Sequence, residues 1–138
     1  MMTDLLLDTC AVIWLAQGRD LKPAAMAALA ASWQSGRPVT VSAITAWELG
    51  MLSRKARLTS RVPPLVLFED FVASDGFARA DLPPAVLVAS SFLPEDFHND
   101  PADRIIVATA RTLDLTVVTS DRLILDYAAR GHVRALAC

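Results

Sequence analysis

The sequence has little that would tie it to an oxidising compartment or a membrane. Its two cysteines, Cys10 and Cys138, stand far apart and follow no zinc or redox spacing, so they read as buried or tail thiols without ligand or disulfide chemistry. Long hydrophobic runs are also missing. The longest, such as Ala24 to Ala31, are too short and alanine-rich to span a bilayer, and Met1-Met2-Thr3-Asp4 lacks the basic start of a signal peptide. A cytoplasmic protein with no membrane partner is expected. Charge of one sign is scarce too: 13 Lys and Arg against 15 Asp and Glu leave a net charge of −2. No global basic field announces nucleic acid, and any polyanion must be held by a local patch or a metal. Repeats, low-complexity segments and linkers are absent.

What is present is a strongly apolar chain with oddly placed acids. With 54% hydrophobic residues over 138 positions, it can bury a core without staples, and one domain spanning residues 1–138 is expected. Asp4-Leu5-Leu6-Leu7-Asp8 reads as a short buried strand and Thr9 to Ala16 as the helix after it, ended by Gly18. Pro23 opens a second helix, Ala24 to Trp33, closed by Ser35-Gly36. Pro38 to Ser42 reads as a strand. Ser42 then caps a helix from Ala43 to about Lys55, with Ile44, Trp47, Met51 and Leu52 on one side. Leu65, Phe68 and Val72 mark another helix, Phe77 to Asp81 a short strand, and Pro83-Pro84 opens a helix through Ser91. Further on, Leu115 to Thr119 is a β-branched strand, Asp121 to Arg130 a last helix and Val133 to Leu136 a terminal strand. Strands alternating with helices predict an α/β sandwich around a mainly parallel sheet.

The stretch from His98 to Leu115 is central to this pattern. Pro101 fits a first helical position and Asp100 its N-cap. Asp103 tops an apolar stripe continued by Ile106, Ala110 and Leu113, so its carboxylate points inward. Both acids also suit plain helix capping, where they favour the dipole. Three further acids are as unusual. Asp8 closes the first strand and Asp121 follows the strand Leu115 to Thr119, which puts both at the edge where parallel sheets hold ligands. Each can equally cap the helix that follows it. Glu48 is the only charged residue between Arg37 and Arg54, on a helix apolar nearly all round, and a glutamate there needs a partner, an internal arginine being one choice. Four converging carboxylates would repel one another, raising their pKa values unless a cation neutralises them. With oxygen donors and no histidine or cysteine at ligand spacing, Mg²⁺ or Mn²⁺ fits better than zinc. Such a site suits phosphodiester hydrolysis, the metal activating a water and polarising the phosphoryl group.

These segments carry a family resemblance. Leu5-Leu6-Leu7-Asp8-Thr9, Ser42-Ala43-Ile44-Thr45-Ala46-Trp47-Glu48-Leu49, His98-Asn99-Asp100-Pro101-Ala102-Asp103-Arg104 and Val118-Thr119-Ser120-Asp121 resemble, in order and spacing, the PIN-domain ribonucleases, and more narrowly the VapC toxins of bacterial type II toxin–antitoxin systems. The resemblance implies a PIN-like α/β/α sandwich and a Mg²⁺- or Mn²⁺-dependent endoribonuclease. It maps the acidic quartet, as catalytic and metal-binding residues, to Asp8, Glu48, Asp103 and Asp121. Thr9 and Thr119 become neighbouring polar supports, and Asp100, a good N-cap, stands behind the ligands. It further implies RNA as substrate, a homodimer and a VapB-type antitoxin that covers the site.

Other readings are weaker. Arg54, Lys55, Arg57 and Arg61 have no acid between Glu48 and Glu69, which suits either RNA phosphates or a solvated helix end. The helix Leu65 to Val72 and the tryptophans Trp14 and Trp33 suit core packing first and a dimer or antitoxin groove second. His98 and His132 read as loop residues and not as bases. A haloacid-dehalogenase-type phosphotransferase wants a second acid where Cys10 stands, and a response-regulator receiver wants a lysine that the stretch Val117 to Asp121 lacks. A degenerate PIN fold that only binds RNA or a partner is the non-enzymatic alternative, and the presence of all four acids argues against it.

Overall fold

A computed structural model describes residues 3–138; Met1 and Met2, part of the N-terminal stretch read above, lie outside the described residues. Five short strands alternate with seven helices: β1 (Asp4–Leu7), α1 (Thr9–Ala16), α2 (Pro23–Gln34), β2 (Val39–Ser42), α3 (Ile44–Arg54), α4 (Pro64–Ala73), β3 (Phe77–Ala80), α5 (Pro84–Ala89), α6 (Pro101–Leu113), β4 (Leu115–Thr119), α7 (Arg122–Ala129) and β5 (Arg134–Ala137). The strands form one sheet in the order β3-β2-β1-β4-β5. Every pairing is parallel, with Leu6 opposite Thr40 on one side and Val117 on the other. The sheet is thus more uniform than the mainly parallel one expected, because each link between strands contains a helix that carries the chain back to the starting edge.

Strand β1 lies at the centre, covered on both faces, which is why it reads as an unbroken leucine run. Successive side chains alternate: Leu5 and Leu7 join one apolar cluster and Leu6 the other. The first cluster packs Val12 of α1, Leu29 of α2, Leu49 of α3 and Phe68 of α4 against the sheet. The second packs Val86 of α5, Ile106 and Val107 of α6, and Ile124 and Tyr127 of α7. This is a three-layer α/β/α sandwich. Leu6 and Leu7 are fully buried, each contributing roughly 1.5–3 kcal/mol.

Three local expectations change. Helix α3 begins at Ile44, whose amide donates to Ser42 Oγ at 3.1 Å. Its core-facing residues are Thr45 and Leu49, while Trp47 is 51% exposed. The stripe of α6 runs through Ile106, Val107 and Ala110, and Leu113 is exposed near the helix end. Trp33 serves the fold: its Nε1 donates to the Gly76 carbonyl at 2.7 Å and its ring meets Phe77 edge-on. At Gly76, where φ is +90°, a Cβ would lie 2.4 Å from that indole nitrogen, so only glycine fits. Trp14 is half-buried, with Arg19 over its ring.

The strand order determines where a ligand can sit. From β1 the chain builds β2 and β3 to one side, then returns to place β4 on the other. A crevice opens at the carboxyl ends of β1 and β4, where the two directions part.

Candidate active site

Asp8 and Asp121 emerge at that crevice. Asp8 directly follows β1 and caps α1, its Oδ1 accepting from the Thr9 amide at 2.8 Å. Its Oδ2 accepts from Thr119 Oγ1 at 2.6 Å, and the Cys10 thiol stands 3.8 Å away. Thr119 Oγ1 in turn accepts from the Asp121 amide at 2.9 Å, so one hydroxyl ties the ends of β1 and β4 together. Asp121 caps α7, with Oδ1 accepting from the amides of Leu123 and Ile124 at 2.8 and 3.1 Å. Capping and site-building therefore coexist at both acids.

Helices α3 and α6 bring the other two. Glu48 Oε1 accepts from Thr9 Oγ1 at 2.5 Å, and Thr9 Oγ1 also lies 3.0 Å from the buried Thr45 hydroxyl. The partner of Glu48 is thus a hydroxyl and not the arginine that burial first brings to mind. Asp103 sits in the first turn of α6, its amide donating to Asp100 Oδ1 at 3.1 Å. Asp8, Glu48, Asp103 and Asp121 together line one cavity of about 250 Å³, with Thr9, Cys10, Ile13, Leu52 and Ser120.

This packing perturbs the acids. Asp8 is raised, chiefly by burial, against the opposing hydrogen bond from Thr119. Glu48 is raised to about 7, again by burial first, with the Thr9 hydrogen bond opposing and the charges of Asp8 and Asp100 adding. Asp103 is raised to about 8 by burial and then by the charges of Asp8, Asp121, Asp100 and Glu48. Burial and the neighbouring carboxylates together favour the protonated forms of Glu48 and Asp103 near neutral pH, the pattern of a perturbed acid cluster in a cleft. The donor set, several carboxylate oxygens around one cavity, fits a hard divalent cation.

Comparisons with known proteins bear on the family and the fold. The sequence profile of the PIN domain matches residues 5–130. The chain belongs to the PIN-domain family. A relative, ribonuclease VapC22 of Mycobacterium tuberculosis, is 32% identical over 122 residues, covering 88% of this chain and 89% of its own. Among solved structures, VapBC2 from Rickettsia felis bound to a fragment of promoter DNA superposes with a TM-score of 0.66 at 15% identity, over 96% of this chain and 97% of that one. A toxin–antitoxin complex from Klebsiella pneumoniae gives 0.58 at 19% identity, with 96% of each chain covered. At these identities the structures speak for the fold alone.

The basic residues of this PIN domain divide. Lys55 and Arg57 line a hollow beside Glu48, shared with Trp47, Met51, Asp100 and Pro101. Arg61 lines a different hollow of about 710 Å³ between α1 and α4, with Ile13, Gln17 and Leu67. Arg54 is exposed, its guanidinium against Met51 Sδ. Sequence reasoning passed over three groups. Arg104, next to Asp103, donates from Nε to the Ser90 carbonyl at 2.8 Å and from Nη1 to those of Phe97 and His98 at 2.9 and 3.2 Å, so it fastens the loop before α6. His98, read as a plain loop residue, has Nε2 3.0 Å from Asp103 Oδ2. Its place two residues ahead of the N-cap was the available signal. Cys10 and Cys138, distant in sequence, act on one another's titration, the Cys10 thiol being lowered to about 7 and that of Cys138 raised; both are free thiols.

Proposed function

We propose that this PIN domain is a divalent-metal-dependent endoribonuclease, the toxin of a VapBC-type pair, working in the cytoplasm as a homodimer and silenced by a cognate VapB-type antitoxin. One observation carries the chemistry: four acids from three layers of the fold line a single cavity at the sheet's switch point, where burial first and neighbouring carboxylates second push Glu48 up to about 7 and Asp103 up to about 8. The name of the VapC22 relative supports the biological setting.

Each residue has a part that follows from its contacts. Asp8, with both oxygens already oriented by Thr9 and Thr119, is the fixed ligand. Asp121 is held by the amides of α7, and Glu48 is steered by the Thr9 hydroxyl. Asp103 completes the ring from the back layer and, in its ionised form, would help hold the cation. A bound Mg²⁺ or Mn²⁺ supplies the charge that makes a water acidic and stabilises the oxygens of the phosphodiester. Lys55 and Arg57, beside Glu48, hold flanking phosphates of an unpaired strand. Within the described residues no helix is long and apolar enough to cross a membrane.

The test is incubation of purified protein with total RNA and Mg²⁺ or Mn²⁺, followed by sequencing of new ends. Attack by water gives 5′-phosphate and 3′-hydroxyl termini. Cyclic phosphates would point to the ribose 2′-OH as nucleophile and overturn the mechanism. A gene beside this one should encode a small protein whose co-expression relieves toxicity and blocks cleavage, and a neighbour that binds without inhibiting would count against the toxin reading.

A further inference from the structure

The histidine ahead of α6 is held with more care than a loop residue needs. Its backbone carbonyl and that of Phe97 are both bound by Arg104, and its ring packs edge-on to Phe97 with centroids 4.6 Å apart. Phe97 is itself buried against Tyr127. The imidazole is therefore fixed in place from two sides. Its Nε2 is buried and has no hydrogen-bond partner, although Asp103 Oδ2 is 3.0 Å away. The two atoms are close, yet the nitrogen is not aimed at the oxygen.

A buried ring nitrogen left unpaired is costly and calls for an explanation. Two atoms that share an ion supply one. Ligands about 2.1 Å from a cation and at right angles to each other lie about 3.0 Å apart, each pointing at the ion and not at its neighbour. One ligand atom each from His98, Asp103 and Asp121 already lie within 4.8 Å of one another, little more than the diagonal of about 4.2 Å that such a polyhedron allows, so a small inward shift of side chains brings all three to one ion.

We propose that His98 is a nitrogen ligand of the metal site, beside Asp103 and Asp121, and that it biases this PIN domain toward Mn²⁺ over Mg²⁺. The preference follows from donor chemistry: Mg²⁺ seeks oxygen and releases its waters reluctantly, while imidazole suits the transition-metal dications. The inference rests on the nuclease reading above, in which this cleft holds a divalent cation. It adds a ligand from a loop that lies outside the four acids.

Pulsed electron paramagnetic resonance on the full chain with one equivalent of Mn²⁺ tests it without using activity. The sequence contains two histidines, so labelling with ¹⁵N-histidine leaves few alternatives. Directly coordinated ¹⁴N modulation should appear in the parent, change to the ¹⁵N pattern on labelling, vanish in His98→Gln and persist in His132→Gln. Competition binding should show the Mn²⁺ preference falling by on the order of tenfold in His98→Gln. If Mn²⁺ binds, Asp103→Asn weakens it, and the parent shows no nitrogen coupling, the ligand role is wrong while the nuclease reading stands. If no Mn²⁺ binding depends on Asp103, both fail together. Should His98→Gln not fold, the labelled parent alone decides.

Discussion

Replacing Asp103 by asparagine removes one charge while keeping the side chain's size. The residue is only 9% exposed, and its carboxyl titrates at about 8 where the ordinary value is 3.8. In the unfolded chain that acid ionises near pH 4, so between there and about pH 8 the folded protein binds a proton that the unfolded one has lost. Stability of the metal-free parent must then fall as pH rises through this window and level off above it. Each pH step costs about 1.4 kcal/mol at face value, but water reaching the open cavity screens the repulsion, leaving about 1–3 kcal/mol over the whole window. Metal-free Asp103→Asn should thus melt with the parent toward pH 4 and above it at pH 8, by on the order of 5–10 °C. Saturating Mg²⁺ reverses the order, because a ligand at a hundredfold its Kd adds about 2.7 kcal/mol to the parent and less to a variant that binds it weakly. Cleavage of RNA should drop by orders of magnitude. The assay is thermal melting of both proteins across this pH range, with and without Mg²⁺, beside the cleavage assay. A loss of about 0.3–1 kcal/mol at every pH, indifferent to metal and with cleavage intact, would mean a first-turn acid acting on the helix dipole and would refute the metal site.

Other perturbations separate folding from chemistry elsewhere in the cleft. Asp121→Asn should keep the cap on α7 and its stability, Asp121→Ala should cost about 1 kcal/mol in denaturant melts, and both should lose cleavage; an active asparagine variant would make Asp121 a cap alone. Apparent metal affinity by calorimetry should rise from pH 6 to 9 with proton release, since Glu48 and Asp103 must shed protons held to about 7 and 8; a flat profile would contradict the electrostatics. Exchanging Lys55 and Arg57 for alanine should flatten the salt dependence of RNA binding by about 0.7 per lost phosphate contact while leaving metal-induced melting shifts unchanged, and an unaltered slope would remove them from the RNA path. Arg104→Lys cannot reach three carbonyls at once and should cost about 1–3 kcal/mol, with faster amide exchange confined at first to the loop before α6; uniform exchange would show a global effect instead.

Alternation of strand and helix, the caps at Asp8, Asp100 and Asp121, and the inward-facing acid at Asp103 were all legible from residue order, because they depend on neighbours within a turn or two of chain. The misplacements share a cause. Trp47 and Leu113 belong to apolar stripes by spacing, yet which stripe meets the sheet depends on how the helix is rolled against it. Trp33 reads first as a packing residue and does pack, but its partner Gly76 lies 43 residues away and could not be named from the chain.

By itself the sequence determined the class of fold, since leucines at consecutive positions of β1 demand cover on both faces, and it singled out the acids whose positions along the chain are unusual. Tertiary structure decided the rest. The parallel order of strands placed the ends of β1 and β4 side by side, so that one threonine hydroxyl could join Asp8 to the Asp121 amide. Burial then withheld water from carboxyls that, exposed along the chain, would have kept ordinary pKa values. The loop that carries His98 to Asp103 leaves no periodic trace, because its course is set by three carbonyls on one arginine and not by any repeat of apolar residues.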